Sequence, residues 1–154
     1  MSAAESAVHC QLLPLRNEHL LLPSTVIAEV IRFGALEPME GVPPWLLGRI
    51  AWRDRAIAVV SFEVACGEQI PAESRQTKIV VLSAPGDNAQ LDFWGVVVQN
   101  MPQLLQVSEA NLDMVEHETE LHPLSYCHVI VNGKTAIIPN LSALEERLLA
   151  SMPG

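Results

Sequence analysis

A chain of 154 residues, 49% hydrophobic and 18% charged, can bury a sizeable core and is too apolar to stay disordered, so one compact unit or two small halves sharing a core is expected. Its formal net charge of −9 argues against nucleic acid or an anionic membrane as main partner, because both demand clustered positive charge. Cys10, Cys66 and Cys127 are odd in number, far apart and without CxxC spacing, which suits a reducing compartment. The opening residues carry no secretory pattern, and no apolar run approaches the ~20 positions of a membrane helix, so a soluble, cytoplasmic protein is expected.

Residues 8–15 and 19–22, either side of Arg16-Asn17-Glu18, read as a first hairpin, with Pro14 marking an edge or bend. After Pro23-Ser24, the positions Val26, Ile27, Val30 and Ile31 recur at helical spacing, which predicts a helix of one or two turns with Glu29 off its apolar face, exposed and inert by default. Residues 33–36 fit a short strand, and 37–44 a proline-rich loop. Pro43 and Pro44 then lead into apolar runs 47–52 and 56–62 about an Arg53-Asp54 turn, a second hairpin. This hairpin runs against the charge of the chain: Arg49, Arg53 and Arg55 are three of nine Lys plus Arg, beside Trp45 and Trp52, and Arg with Trp is the composition of interface anchors.

Residues 66–77 are polar, with Gly67 and Pro71, and suit a connection between halves. Strands are expected at 78–82, 90–98 and 104–107, with a turn at 84–88 and burial of both faces around Val96-Val97-Val98. Residues 108–122 carry Glu109, Asp113, Glu116, Glu118 and Glu120 with no Lys or Arg, a solvated acidic segment or a docking surface. Residues 125–131 and 134–138 flank Asn132-Gly133, which supplies both positive-φ residues of a type I′ turn. Asn140 or Ser142 can cap a last helix, with Leu141, Leu144 and Leu148 on one face and Glu145 completing a capping box with Ser142.

Asn132 lies 79 residues after Arg53, and with the two hairpins aligned at that offset Ile50 matches Val129, Trp52 matches Val131, Ile57 matches Ala136, Val59 matches Ile138 and Phe62 matches Leu141. The match is of pattern and predicts two similar β halves, divided near residue 70 within a single domain. Small sheets of that kind close into barrels or pack together to remove their edges.

Chemistry is sparse. His117 and His122 echo H-E-x-x-H, but five residues apart on a helix they diverge by roughly 140°. His9-Cys10 and Cys127-His128 are strand neighbours that point to opposite faces, so each pair offers one ligand to a site. No G-x-S-x-G, catalytic cysteine signature or phosphate-binding glycine loop is present, and one tyrosine with three phenylalanines makes no stacking platform. A binding or scaffold role leads.

Ile27-Ala28-Glu29-Val30, Val42-Pro43, Leu46-Leu47-Gly48, Ala51-Trp52-Arg53-Asp54, the strand Ile57 through Phe62, Gly95-Val96-Val97-Val98-Gln99 and the closing strand and helix together resemble the CheW-like domain, the coupling module of bacterial chemosensory arrays. The sequence departs from that pattern at Asp54 for the turn glycine, Ala58 for a strand proline, Ser61 for an acidic residue and Gln99 for an aspartate. The resemblance implies a mainly β fold of two similar five-stranded SH3-like barrel halves around a shared core, with short helices including a C-terminal one. It further implies no catalysis, no cofactor and no bound metal. The implied partners are a chemoreceptor cytoplasmic tip and a histidine kinase regulatory domain, and the departures suggest an accessory coupler serving pilus or surface motility. Ile27, Glu29 and Arg53 fall on positions similar to the family's partner surfaces, while Trp45, Arg49 and Arg55 are added from local composition. The competing readings are a small metal-dependent or hydrolytic enzyme, with His117 and His122 near Cys127-His128, and a ligand-binding β-barrel.

Overall fold

The computed structural model describes residues 7–84, 91–115 and 122–152, and within them eleven strands form two sheets. The first sheet has six strands: β1 (Val8–Pro14), β2 (His19–Pro23), β8 (Gln103–Val107), β9 (Leu112–Met114), β10 (Ser125–Val131) and β11 (Lys134–Pro139), in the order β8-β1-β2-β11-β10-β9. The second has five: β3 (Ile27–Arg32), β4 (Leu46–Trp52), β5 (Arg55–Val60), β6 (Lys78–Ser83) and β7 (Phe93–Val98), in the order β3-β6-β7-β5-β4. The mainly β architecture of two similar sheets and a C-terminal helix is therefore present, with the short β9 making the first sheet larger by one strand than expected.

Each strand places alternate side chains in different cores, as the two-residue period of a strand requires. In β6 and β7, Val80, Leu82, Val96 and Val98 join the large core between the sheets, while Ile79 and Val97 face the interior of the second barrel. This is why Val96-Val97-Val98 is an uninterrupted apolar run. The first barrel has its own interior of Cys10, Leu12, Leu21, Val129, Val131 and Ala136.

The 79-residue repeat is structural in detail. Ile50 pairs with Ile57 and Trp52 with Arg55 in the first copy; Val129 pairs with Ala136 and Val131 with Lys134 in the second. Both copies shift register near their start, between Leu46 and Gly48 and between Ser125 and Cys127. Both close a loop with equivalent backbone bonds, Ser61 N–H to Trp45 O at 2.8 Å and Asn140 N–H to Leu124 O at 2.8 Å. Both then enter a helix through a polar cap. Ser61 Oγ accepts from Val64 N–H to start α1 (Phe62–Ala65), and Asn140 Oδ1 accepts from Ala143 N–H to start α2 (Leu141–Ser151). Glu145 does not complete a box with Ser142; its carboxylate accepts from Trp94 Nε1 at 3.0 Å. Leu144 and Leu148 of α2 are buried in the shared core.

Two further expectations are corrected. The stretch around Ile27 is not a helix: one 3-10 turn, Ser24–Val26, leads straight into β3. A bulge between Ile27 and Glu29 adds a residue to the strand, and the apolar residues fall out of strict alternation into a spacing that mimics a helix. Residues 33–36 form no strand. Phe33 and Leu36 pack as irregular chain against the Val59, Ile79 and Val97 cluster, and only an isolated antiparallel bridge, Glu37 with Arg49, follows. Gly48 permits that bridge, since with φ 149° a Cβ there would lie 2.5 Å from the Glu37 carbonyl oxygen. The turn expected at 84–88 falls largely outside the described residues, as do His117 and most of the acidic residues of 108–122.

Candidate protein-binding site

The Arg53-Asp54 turn brings the rim of the second barrel together. Both residues adopt left-handed conformations, φ 47° and 62°, matching Asn132 at 48° and Gly133 at 78° in the other copy. The hairpin therefore turns the same way without a glycine, and the conformation aims the Arg53 side chain back over the sheet.

There the guanidinium lies 4.7 Å from the Trp52 ring centroid, and its Nη2 is 3.1 Å from Glu29 Oε1. The same Glu29 oxygen accepts from Trp52 Nε1 at 3.0 Å. Trp52 is 6% exposed and sits in a small core with Ile57 and Val81, so its polar edge must find a partner, and Glu29 supplies one. Glu29 is thus a half-exposed strand residue holding two groups, not an inert helical one. A second layer continues from Trp52: Phe93 stacks on it at 4.8 Å with a 54° tilt, the Arg55 guanidinium lies 5.1 Å from the Phe93 centroid, and Arg55 Nη1 is 3.6 Å from Asp92 Oδ2. The result is a rim of two aromatic rings, each covered by an arginine whose charge is met by a carboxylate. Its ion pairs remain solvated, with 65% and 42% of the Arg53 and Glu29 side chains exposed.

Of the remaining candidates, Ile27 and Trp45 lie apart from this rim and Arg49 adjoins it. Ile27 begins β3 and is partly buried against the shared core. Trp45 precedes β4, at the opposite end of that strand from Trp52 and roughly 20 Å away along it, and also packs on the shared core. Arg49 joins Arg55 in lining a groove of about 330 Å³ whose other walls include Ala58, Leu91, Phe93 and Met152. Phe93 and Asp92 escaped the sequence reading, since their contacts with the hairpin cross some forty residues of chain and leave no local spacing signal.

Burial holds the three cysteine thiols in their protonated form. Burial pushes the Cys66 thiol up to about 12, aided by the Glu18, Glu68 and Glu63 carboxylates against a smaller opposing pull from Arg147. Burial likewise raises Cys10 and Cys127. Thiols raised in this way stay protonated near neutrality and are poor nucleophiles and ligands. Among the described residues no three His, Cys, Asp or Glu converge as a metal site, and His122 Nδ1 accepts from Leu124 N–H at 3.1 Å. No helix of the described residues is long and apolar enough to cross a membrane.

Comparison with known proteins gives the same architecture. A crystal structure of the scaffolding protein TtCheW from Thermoanaerobacter tengcongensis matches with a TM-score of 0.72 at 16% identity, covering 86% of this chain and 88% of that one. A search of curated proteins finds no match. The family model for the CheW-like domain matches residues 9–148, nearly the full length. The chain belongs to the CheW-like domain family.

Proposed function

We propose that the protein is a non-catalytic scaffold of a chemosensory system, coupling a chemoreceptor cytoplasmic tip to a histidine kinase regulatory domain through protein contacts alone. The observation that carries this reading is the family match over residues 9–148, on a chain that presents an exposed rim of arginines backed by aromatics. In the proposed role, Glu29 and Trp52 position Arg53, and Arg53 and Arg55 present cations to an acidic partner from a rigid barrel edge. Arg in an ordered, aromatic-backed setting loses less side-chain entropy on binding than a free one, which favours its use as an anchor. Ile27, on the strand that carries Glu29, and Arg49, in the adjoining groove, extend the surface to either side. Trp45 packs on the shared core at the far end of β4 and is left out of this surface. Holding receptor and kinase on one scaffold raises their effective concentration and lets a change of state in one be felt by the other.

The test is calorimetry with a chemoreceptor tip fragment and a kinase regulatory domain. Arg53→Glu is expected to weaken binding to at least one of them by about tenfold or more, since it both removes a cation and places like charge beside Glu29 and the partner. Stability should change by no more than about 1 kcal/mol, because the Glu29–Arg53 pair is solvent-exposed. Unchanged affinity for both partners would remove Arg53 from the interface.

A further inference from the structure

A second concentration of positive charge lies elsewhere on the second sheet and shares no residue with the Trp52 rim. Arg32 ends β3 and Lys78 begins β6, and the two are direct register partners. The loop before β6 adds Arg75. These three, a third of all Lys plus Arg in a chain of net charge −9, line one open groove of about 630 Å³ together with Phe33, Glu73, Ser74 and Thr77. Among the described residues none of the three cations is in an ion pair; the Lys78 ammonium donates only to the Arg75 carbonyl, at 3.2 Å. Repulsion among adjacent cations with one lining carboxylate is a standing cost, and it is relieved when an anion arrives.

The chemistry of the walls narrows the anion. Arg and Lys side chains can hold phosphate by themselves, but the most compact phosphate sites add backbone N–H groups converging on one point. Here three of the loop's N–H groups are consumed inside it: Ser74 N–H bonds Thr77 Oγ1 at 2.9 Å, Gln76 N–H bonds Ser74 Oγ at 3.1 Å, and Thr77 N–H bonds the Ser74 carbonyl at 3.2 Å. What remains is a set of long cationic side chains spread along an open groove, with the partly exposed Phe33 ring as the apolar element. That arrangement suits separated carboxylates on a polypeptide with an apolar side chain between them. We propose that the Arg32–Arg75–Lys78 groove is a docking site for a carboxylate-rich segment of a partner protein, distinct from the surface assigned to Glu29 and Arg53.

Fluorescence anisotropy with a labelled glutamate-rich peptide carrying a central phenylalanine, and with its glutamine analogue, tests this. The wild-type protein should bind the glutamate peptide and not the analogue. Combined Arg32→Ala, Arg75→Ala and Lys78→Ala should weaken binding by about tenfold or more, as expected for the loss of several exposed ion pairs, while Lys134→Ala, an exposed cation on the first sheet, leaves it unchanged. Circular dichroism checks that the triple variant is folded, and Arg75→Glu, at an exposed loop position, gives the same direction of effect if it is not. Equal binding of the two peptides, or equal affinity of variant and wild type, overturns the proposal. So does displacement of the peptide by pyrophosphate at lower concentration than by unlabelled peptide, which would make this a phosphate site. Self-association of the wild type that is lost in the variant would also overturn it, since the occupant would then be a second copy.

Discussion

Glu63 is 2% exposed in α1, yet it carries a carboxylate, and its two oxygens tie three segments together. Oε2 accepts from Arg16 N–H at 2.8 Å, in the turn between β1 and β2, and Oε1 accepts from Gln99 Nε2 at 3.2 Å, just after β7. Burial raises its pKa and Glu68 adds to the rise, outweighing the lowering by the Arg16 N–H, the Gln99 amide and the Arg16 charge. Glu18 is raised by burial, then by Glu68 and Glu63, and Glu145 by burial against the opposing Trp94 bond. A carboxyl whose folded pKa exceeds its unfolded one binds more protons in the native state, so its contribution to stability is full below the unfolded value and is lost as pH rises through the folded value. The expected outcome is a urea midpoint that falls as pH rises from the ordinary carboxyl range toward neutrality, and a shallower dependence in Glu63→Gln, in which the Gln99 amide can flip to keep both bonds. Glu63→Leu strands the Arg16 N–H and the Gln99 amide and should cost about 2 to 3 kcal/mol in the same measurement. Little of this was legible in the sequence, because Glu63 meets partners 47 and 36 residues away and no local pattern marks it. Arg53 was legible by contrast, as a charge set against the composition of its surroundings, but its coupling to Glu29 required knowing that β3 is a strand.

The two hairpins offer an internal control at the scale of the element. They share register, bulge, loop bonds and helix caps, yet one turns through Asn132-Gly133 and the other through Arg53-Asp54 with both residues left-handed. A left-handed conformation costs a non-glycine residue about 1 to 2 kcal/mol, less for Asp and Asn, whose side chains bond locally. Asp54→Gly should therefore raise stability by about 0.5 to 1 kcal/mol, read as a higher urea midpoint with an unchanged slope. Gly133→Ala should lower it by about 1 kcal/mol through strain alone, because no atom lies within 4 Å of the added Cβ. The repeat was readable from sequence because turn residues and apolar alternation are local signals. The β3 segment was not, because its bulge imitates helical spacing, and what decides between the alternatives is pairing with β6, fifty residues away. The segment 33–36 forms no strand for a related reason: apolar side chains are present, but among the described residues the bridging nearby is the single Glu37–Arg49 pair.

At the scale of the molecule, the two repeats exchange their opening strands. The hairpin β1–β2 belongs in sequence to the first half, but it pairs with β8 and β11 of the second. The hairpin β6–β7 of the second half pairs with β3 and β5 of the first. The shared core draws on both, with Leu13, Leu20, Leu22 and Phe62 set against Val80, Trp94, Leu124 and Leu148. Neither half can then close its own sheet: residues 1–70 alone would leave β1 and β2 open on both edges, and residues 71–154 would leave β6 and β7 without β3 or β5. Open edges and an unpaired core face cannot offset the conformational entropy of ordering. Each fragment expressed alone should show no cooperative thermal transition by circular dichroism, whereas the two mixed should recover one, and the intact chain should unfold in a single transition by both heat and urea. A cooperative transition in either fragment alone would mean that its strands find partners within the half, and the exchange of hairpins would no longer be what joins the two barrels. If the exchange holds, a ligand on one rim, such as the Arg53 turn of the second sheet, acts on a sheet that already contains strands from both halves.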